Sequence, residues 1–332
     1  MSEFRHDPLS RRWVIIGGER NDRPNEFVEE ASRAKGISCP FCAGHESETP
    51  PPIALYGKNG KGTWLARVVP NKYPAVNQIP PPQGTKSSNG TAATLPGFGA
   101  HEVIIESPRH IATLSELTDL ELDAVFTAYR DRLVQLKAQR LYRYVQIFKN
   151  VGPAAGASLE HAHSQLLALT SVPEVVEQEL ASSGDYFLEH QRSLLLDMLE
   201  REQAAGDRMI AQTPNFVAFC PYASRFGYEV WVAPRRHQPR FEDVEAGEIG
   251  ELSLLVRDII SRIERTVGRV AYNYFLHTQP FDMPAYDHYH WHIEIIPRLT
   301  KVAGFEWSTG CFINPYSPES AAQHLRSVAS RF

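Results

Sequence analysis

The sequence has 332 residues, 42% of them hydrophobic, and its 34 Lys and Arg against 39 Asp and Glu give a net charge of −5. This length allows one large core or two ordinary ones, because domains usually contain roughly 100–200 residues. The charge balance provides no basic field for nucleic acid, and no stretch approaches the roughly 18 apolar residues of a membrane span. We therefore expect a soluble, cytoplasmic protein that binds neither nucleic acid nor membrane.

Short β-rich runs alternate with longer amphipathic segments in the first half of the chain. The strands predicted there are RWVIIGG, GTWLARVVP, HEVIIES, YVQIFKN and SQLLAL. A helix is predicted at 118–139, where apolar residues recur at helical spacing, namely Leu120, Val125, Tyr129, Leu133 and Leu136. Residues 80–97 contain many turn formers and no apolar periodicity, so they predict a loop.

A long, mostly polar helical pattern runs from Pro173 towards Gly206 and separates two halves, 1–172 and 173–332. The second half then repeats the alternation of strand and helix. Its predicted strands are NFVAFCP, YEVWVAP, YNYFLHT and HWHIEIIPR, with helices at about 248–266 and from Pro318.

The two halves resemble each other at a fixed distance along the chain. Three pairs stand 127 residues apart: His110 with His237, Asn150 with His277, and HAH at 161–163 with HYH at 288–290. Sliding the last pair by two residues would set His290 and His292 against HAH instead. A strand, helix, strand, strand unit used twice predicts an α+β fold with mainly antiparallel sheets and flanking helices.

The segment IFKNVGPAAGASLEHAHSQ carries the clearest chemical pattern. Alternate residues of a strand share one face, so His161, His163 and Gln165 point the same way. The alternative is a pair of surface histidines on an edge strand, which would have the same sequence pattern. The preceding GPAAGAS favours a functional site over surface histidines, because small residues let backbone N–H groups approach an anion. A histidine beside such a nest can attack phosphorus or bind a metal.

Cys39 and Cys42, in CPFC, predict half of a tetrahedral zinc site. Four cysteines do not make a disulfide framework, and they suit a reducing compartment. Two buried, reduced thiols are the alternative. Because no second CxxC exists, histidines must complete a zinc site, and the candidates are His45, His110 and His161. A Cys2His2 site is the simplest closure.

Other polar residues have a plain interpretation beside a functional one. Arg20 and Arg23 lie in a Gly-rich segment that is suited to clamping phosphate oxygens, although most such clusters are solvated loops. Asn71 and Asn150 are residue types that more often stabilise turns than bind ligands.

Taken together, these motifs resemble the galactose-1-phosphate uridylyltransferase family of the histidine-triad superfamily. The resemblance rests on RNDRP, CPFC, VVPNKYPA, GFGAHEVIIESPRH, IFKNVGPAAGASLEHAHSQ, APRRH and KVAGFEWSTGCFINP, which span nearly the whole chain. It implies a duplicated histidine-triad-like fold, a nucleophilic His163 and a Gln165 that hydrogen-bonds the phosphate. It also implies a structural zinc and two sets of binding residues. The zinc ligands would be Cys39, Cys42, His110 and His161; the nucleotide and phosphate positions are Arg20, Arg23, Asn71, Asn150, Gly156 and Ser158; and Lys301 and Glu306 fall near the sugar segment.

The implied activity is a UDP-glucose:hexose-1-phosphate uridylyltransferase that works by a ping-pong mechanism through uridylyl-His163. The acceptor would be a sugar 1-phosphate such as galactose 1-phosphate, and a homodimer is expected. A similar subgroup, the ADP-glucose phosphorylases, moves an adenylyl group instead, and Phe305 in place of a tyrosine leaves the acceptor open. A zinc-stabilised nucleotide-binding module without turnover is the non-enzymatic alternative, which the presence of both His163 and Gln165 disfavours.

Two further departures from the family pattern bear on the metals. Ala162 replaces the usual proline between the paired histidines, which leaves both imidazoles in place. The second CxxC of some relatives is missing, although the matching His237 and His290 are present. A carboxylate-containing second site, as in other relatives, would instead use Glu179, His277 and His292.

Overall fold

The computed structural model describes residues 2–17, 38–57, 64–79, 87–89, 92–94 and 96–330. These residues form fifteen strands: β1 (Glu3–Asp7), β2 (Arg12–Ile16), β3 (Ala54–Tyr56), β4 (Ala66–Pro70), β5 (Ser87–Asn89), β6 (Ala92–Thr94), β7 (Gly99–Ile105), β8 (Tyr144–Val151), β9 (His163–Leu169), β10 (Met209–Gln212), β11 (Phe216–Phe219), β12 (Val230–Pro234), β13 (Tyr272–His277), β14 (His292–Pro297) and β15 (Phe312–Asn314). The α-helices of the same residues are α1 (Asp119–Gln139), α2 (Glu174–His190), α3 (Leu194–Ala205), α4 (Ala246–Val267), α5 (Gly304–Thr309) and α6 (Pro318–Ser327).

Ten of the described strands form one sheet in the order β10-β11-β12-β14-β13-β8-β9-β7-β4-β3. Read outwards from the central pair of β8 and β13, the two sides contain equivalent strands in the same order. Every pairing within this sheet is antiparallel. The predicted α+β fold, with a duplicated unit and mainly antiparallel sheets, is therefore confirmed. The boundaries of the halves at 1–172 and 173–332 stay a prediction, because one sheet runs through both.

The strand register decides how the histidine motifs of the two halves correspond. Phe148 pairs with Gln165, and Phe275, 127 residues further on, pairs with Glu294, 129 residues beyond Gln165. The equivalent of HAH is therefore His290 and His292, and the alignment of HAH with residues 288–290 is wrong. The extra two residues lie in the connection between β13 and β14, where a longer loop does not disturb the pairing.

The main core lies between one face of this sheet and the helices α1, α4 and α6. Helix α1 begins with a capping box of Thr118 and Glu121 and ends at Arg140 in the left-handed conformation. On the opposite face of the sheet, α3 packs against β11 and β12 through Leu195 and Leu199. The second half thus has helices on both faces, whereas the strands β4, β7 and β9 direct their other face towards the candidate site.

Most predicted elements are confirmed, and three details are corrected. The helical pattern from Pro173 is two helices, because the chain turns at Gln191, whose φ is 55°, before α3 begins. The predicted loop at 80–97 contains the short antiparallel pair β5 and β6. Leu120 is 66% exposed, so it does not belong to the buried face of α1. Within the described ranges, no helix combines the length and apolar character that crossing a membrane requires.

Candidate active site

A tight turn leads the chain into the histidine motif. Gly152 and Gly156 flank a short 3-10 turn at Pro153–Ala155, with φ values of 79° and 85°. This left-handed conformation is costly for residues with a Cβ, which explains the glycines at these two positions. The turn closes β8 and returns the chain towards β9, which starts at His163.

His163 is buried at the start of β9 and is held in one tautomer. Its Nδ1 lies 2.7 Å from the carbonyl oxygen of His161. Because a carbonyl oxygen can only accept, Nδ1 carries the hydrogen and Nε2 keeps its lone pair. Burial lowers the pKa of His163, which favours the neutral form of the ring. A neutral imidazole with a free Nε2 lone pair is the form required of a nucleophile.

Gln165 lies two residues further along the same face of β9, and His101 on β7 fixes its side-chain amide. The backbone N–H of Ala75 donates to His101 Nδ1 over 3.0 Å, so the hydrogen of the neutral ring is on Nε2. This Nε2 donates to Gln165 Oε1 over 2.9 Å. The amide nitrogen of Gln165 is thereby left available as a donor. Asn71 Nδ2 lies 3.1 Å from the same Nε2; since both nitrogens are donors, this is a contact and not a second hydrogen bond.

The structure brings the four predicted zinc ligands together. The donor atoms of Cys39, Cys42, His110 and His161 all lie within 4.8 Å of one another. His161 Nδ1 is 3.5 Å from Cys39 Sγ and 3.6 Å from Cys42 Sγ, and His110 Nδ1 is 3.4 Å from Cys42 Sγ. Ligand atoms on a tetrahedral zinc are separated by about 3.5 Å, since its bonds to S and N are about 2.3 Å and 2.0 Å. The donor set and its spacing therefore fit a Cys2His2 zinc site.

The protonation of this group also fits a metal. His161 Nε2 donates to the carbonyl oxygen of Ser107 over 2.9 Å, which leaves Nδ1 as the ligand atom. Burial lowers the pKa of His161 to about 4, so its ring is neutral. Burial also raises the pKa of the Cys42 thiol to about 11, and the nearby Cys39 adds to this effect. The two thiols would therefore ionise only together with a bound cation, and zinc would suit this donor set.

Phe41, between the two cysteines, connects the knuckle to His163. Its ring meets the rings of His161 and His163 edge to face, at centroid distances of 5.9 Å and 5.3 Å. It belongs to an apolar cluster that also contains Trp64, Val69, Val103 and Ile105. An ordered knuckle thus limits the movement of the His163 ring through packing alone.

The other predicted substrate-binding residues fall into three groups. Asn150, Gly156 and Ser158 lie at the turn before the histidines, and Asn150 Oδ1 accepts from Asn273 Nδ2 over 2.7 Å. Lys301 and Glu306 belong to the segment of α5, which packs against β15, and Glu306 Oε2 accepts a hydrogen bond from the backbone N–H of Ala303 over 3.0 Å. Arg20 and Arg23 lie outside the described residues.

A second group of possible metal ligands occupies the equivalent place in the second half. It contains Glu179, His277, His292 and Glu294, whose donor atoms all lie within 4.8 Å of one another. By the strand register, His277 is equivalent to Asn150, and His292 to His163. Glu294 is equivalent to Gln165. His277 Nδ1 is 2.7 Å from Glu179 Oε1, and although burial opposes protonation, this carboxylate raises the pKa of His277.

The alternative pair, His237 and His290, is not part of a metal-ligand group among the described residues. His237 Nε2 donates to the carbonyl of Tyr289 over 2.7 Å, and His290 Nε2 donates to the carbonyl of Pro234 over 2.9 Å. The backbone N–H of Gln238 donates to the other ring nitrogen, His290 Nδ1, over 3.1 Å. Backbone contacts therefore use both nitrogens of His290.

Sequence reasoning did not identify two residues that contact these groups. His101 was not singled out, although its place in HEVIIES puts it on the strand beside β9 and on the face of Gln165. Glu294 was also missed, because its relation to Gln165 depends on the two-residue shift of register. Arg225 contacts Glu294 and lies 2.8 Å from Glu229, so it balances charge beside the second group.

The duplicated sheet, the paired histidines and the cysteine knuckle define a duplicated histidine-triad-like protein. A family model described as the N-terminal domain of galactose-1-phosphate uridyl transferase matches residues 1–173, and a domain of unknown function (DUF4921) matches residues 92–330. The chain belongs to the galactose-1-phosphate uridyl transferase family and is a nucleotidyltransferase.

Similar proteins extend over the whole chain. ADP-glucose phosphorylase of Arabidopsis thaliana is 35% identical over 98% of this chain and 93% of its own length. Galactose-1-phosphate uridylyltransferase of Thermotoga maritima is 27% identical over 99% of each chain. A crystal structure of an Arabidopsis thaliana ADP-glucose phosphorylase with bound ADP-glucose superposes with a TM-score of 0.86 at 33% identity, covering 99% of this chain and 100% of that one.

Proposed function

We propose that this protein transfers a nucleotidyl group from a nucleotide sugar to an acceptor phosphate through a covalent bond to His163. The observation that carries the proposal is the 2.7 Å hydrogen bond from His163 Nδ1 to the His161 carbonyl, which leaves Nε2 for attack. In the first step Nε2 bonds to the α-phosphorus and the sugar 1-phosphate leaves with the electrons of the broken P–O bond. In the second step an acceptor phosphate oxygen attacks the same phosphorus and the P–N bond breaks, which regenerates His163.

The neighbouring residues have distinct roles in this scheme. The Gln165 amide, oriented by His101, donates to a phosphoryl oxygen where negative charge develops. Asn71, Asn150, Gly156 and Ser158 contribute to binding the nucleotide and its phosphates, together with Arg20 and Arg23. The Cys39, Cys42, His110 and His161 group holds a structural zinc, which fixes the knuckle and the strand beside His163.

The donor and acceptor distinguish two candidate activities. The first is a UDP-glucose:hexose-1-phosphate uridylyltransferase, with galactose 1-phosphate as an acceptor and a place in galactose metabolism. The second is ADP-glucose phosphorylase, which would transfer an adenylyl group to inorganic phosphate with the same residues. The second candidate is supported by 35% identity to the Arabidopsis thaliana ADP-glucose phosphorylase, against 27% to the Thermotoga maritima uridylyltransferase.

A homodimer is part of the proposal. Lys301 and Glu306 are expected near the sugar, yet α5 packs against β15, on the small sheet of β1, β2 and β15. A second subunit offers a way to bring this segment to a site. Sedimentation of the purified protein, with and without donor, tests this expectation.

We also propose that the second group binds a divalent metal. Both ring nitrogens of His292 are buried without a hydrogen-bond partner in the described part of the chain, and Nε2 lies 3.5 Å from Glu294 Oε1. Two imidazoles and two carboxylates suit a borderline divalent ion such as zinc or iron. Glu179, His277, His292 and Glu294 would hold it as a structural ion.

One experiment tests the proposed function and chooses between the donors. The protein is incubated separately with UDP-glucose, UDP-galactose and ADP-glucose, and its intact mass is measured before any acceptor is added. We expect a uridylyl or adenylyl mass increase that maps to His163 and disappears when galactose 1-phosphate or inorganic phosphate is added. Protein that binds these donors but shows neither a mass increase nor turnover would instead be a nucleotide-binding module.

A further inference from the structure

A fully buried ion pair lies directly behind the nucleophile, on the face of the sheet that packs against α1. Lys149 on β8 and Glu106, just after β7, both have no exposed surface. Lys149 Nζ lies 2.6 Å from Glu106 Oε2. Isolating two charges from water carries a large desolvation penalty, which their attraction offsets only when the geometry is good. The role assigned to the site above does not use this pair.

The pair is connected to the backbone of His163. Lys149 Nζ donates a second hydrogen bond, of 3.1 Å, to the His163 carbonyl oxygen. The next residue, Ser164, accepts from Tyr129 OH over 2.8 Å, and the same hydroxyl lies 3.3 Å from Glu106 Oε1. The ring of His163 is held on one side by the His161 carbonyl, and its backbone carbonyl is held on the other side by Lys149.

The second half of the molecule shows what the fold needs at this place. At the equivalent positions, the ion pair and its two hydroxyl partners are replaced by buried apolar residues, namely Pro234, Leu276, Val256 and Ile293. The same strand, helix, strand, strand unit therefore packs without an ion pair at this place. Since apolar replacements of buried ion pairs are often neutral or stabilising, stability alone does not explain why the first half has Glu106 and Lys149.

We propose that Glu106 and Lys149 form a positioning device for the nucleophile, in which the ammonium group clamps the His163 carbonyl and the carboxylate fixes the ammonium group. The inference rests on the proposed function of His163. Attack on phosphorus requires Nε2 to be aimed along the line of the breaking bond, and a displacement of about 1 Å can lower a rate by about 10²-fold. The unit without the clamp has His292 at the position of His163, where its ring lies beside the carboxylates of Glu179 and Glu294.

The test variant removes both charges. It combines Glu106→Ala with Lys149→Leu, and leucine is the residue found at the equivalent place of the second half, Leu276. The rate of nucleotidyl-enzyme formation is measured by quenched-flow and intact mass at saturating donor, with donor Kd, zinc content and Tm measured alongside. We expect wild-type zinc content, donor Kd within about 3-fold and a rate that falls by about 30- to 100-fold.

A conservative pair of variants separates position from stability. Glu106→Gln with Lys149→Gln keeps an amide donor near the His163 carbonyl, and we expect it to recover at least about 5-fold of the lost rate. The control is Glu102→Leu with Arg132→Met, which removes another buried ion pair on the same face of the sheet, joined over 2.6 Å and 2.8 Å. This control should change Tm and leave the rate within about 3-fold.

Each outcome decides the inference. A Glu106→Ala/Lys149→Leu protein that reacts at the wild-type rate, or that loses rate only as much as the control, overturns it. A variant that does not fold also overturns it, because the pair would then be required by the structure itself. Wild-type protein that forms no nucleotidyl-His163 with any donor would refute the proposed function as well, which distinguishes that failure from this one.

Discussion

His101 Nε2 donates a 2.9 Å hydrogen bond to Gln165 Oε1, so the oxygen of the Gln165 side chain is occupied and its amide nitrogen is available. We expect Gln165→Ala to slow nucleotidyl transfer by about 10²-fold, because the variant loses a donor to the oxygen that gains charge in the transition state. Stopped or quenched assays at saturating donor measure the effect, and Tm should change by no more than about 2 °C.

His101→Leu tests the orientation of the amide separately. Without the imidazole, Gln165 can rotate, so we expect a loss of about 10-fold, smaller than that of Gln165→Ala. Gln146→Ala, on the neighbouring β8, is the control and should stay within about 3-fold of wild type. If Gln165→Ala turns over like the wild type, the assigned role of Gln165 is wrong.

The zinc group predicts that metal content and stability change together. Cys39→Ser removes one thiolate from the group of Cys39, Cys42, His110 and His161, so zinc should be lost and Tm should fall by about 5–10 °C. Metal analysis and thermal unfolding measure the two effects on one sample. Cys311→Ser, at a half-buried cysteine outside this group, should keep its zinc. A folded wild-type protein without zinc at this site would contradict the assignment.

The sequence predicts this fold and much of this site because the motifs are local. The period of two in a strand places His161, His163 and Gln165 on one face, and CPFC forms its knuckle within four residues. The structure brings Cys39, Cys42, His110 and His161 together as expected. The assignment of each residue's role stays a prediction until the variants are measured.

Register and cross-strand partners could not be predicted in the same way. The two-residue shift between the halves arises in the loop between β13 and β14. The alternation of residues within each strand is the same whatever the length of that loop, so it does not reveal the register. Lys149 and Glu106 are 43 residues apart, and their contact depends on the order of β7, β9 and β8 in the sheet. Leu120 is predicted to lie on the apolar face of α1, but it stands five residues before Val125, about 140° around the helix, and is exposed, whereas Leu122 is buried.

Glu121 predicts a pH dependence of stability near the zinc group. It caps α1 and accepts hydrogen bonds from Ser107 and Arg109 over 2.7 Å and 3.2 Å. Burial opposes ionisation, but these partners outweigh it and lower the pKa of Glu121. A lowered pKa means that the stabilisation is present above the unfolded pKa, about 4.3, and is lost as the pH falls through the folded value.

Urea unfolding of wild type and Glu121→Gln across pH 3.5 to 7 measures this effect. We expect the variant to be less stable by about 1–2 kcal/mol at pH 7, because its neutral amide is a weaker partner for Arg109. The difference should shrink towards acid pH, where the wild-type carboxyl is protonated too. A difference that stays constant from pH 3.5 to 7 would show that the charge of Glu121 is unimportant.

The second metal group predicts a further equivalent of metal that depends on His292. His292→Phe should lower the metal content by one equivalent and leave the zinc of the cysteine group in place. His237→Ala should leave the metal content unchanged, because backbone hydrogen bonds hold His237 and its neighbour His290. Loss of metal from the His237 variant, with retention in the His292 variant, would favour the other pair of histidines.

The covalent mechanism predicts isotope exchange without an acceptor. If His163 carries the nucleotidyl group, the sugar 1-phosphate leaves before the acceptor arrives, so enzyme and donor alone complete the first half-reaction. Labelled glucose 1-phosphate should therefore enter the donor that the mass experiment identifies, at a rate close to that of turnover. Direct attack by the acceptor could not produce this exchange. His163→Asn should bind the donor and abolish exchange, since an amide is a poor nucleophile. Wild-type protein that turns over its donor without exchange would disprove the nucleotidyl-His163 intermediate.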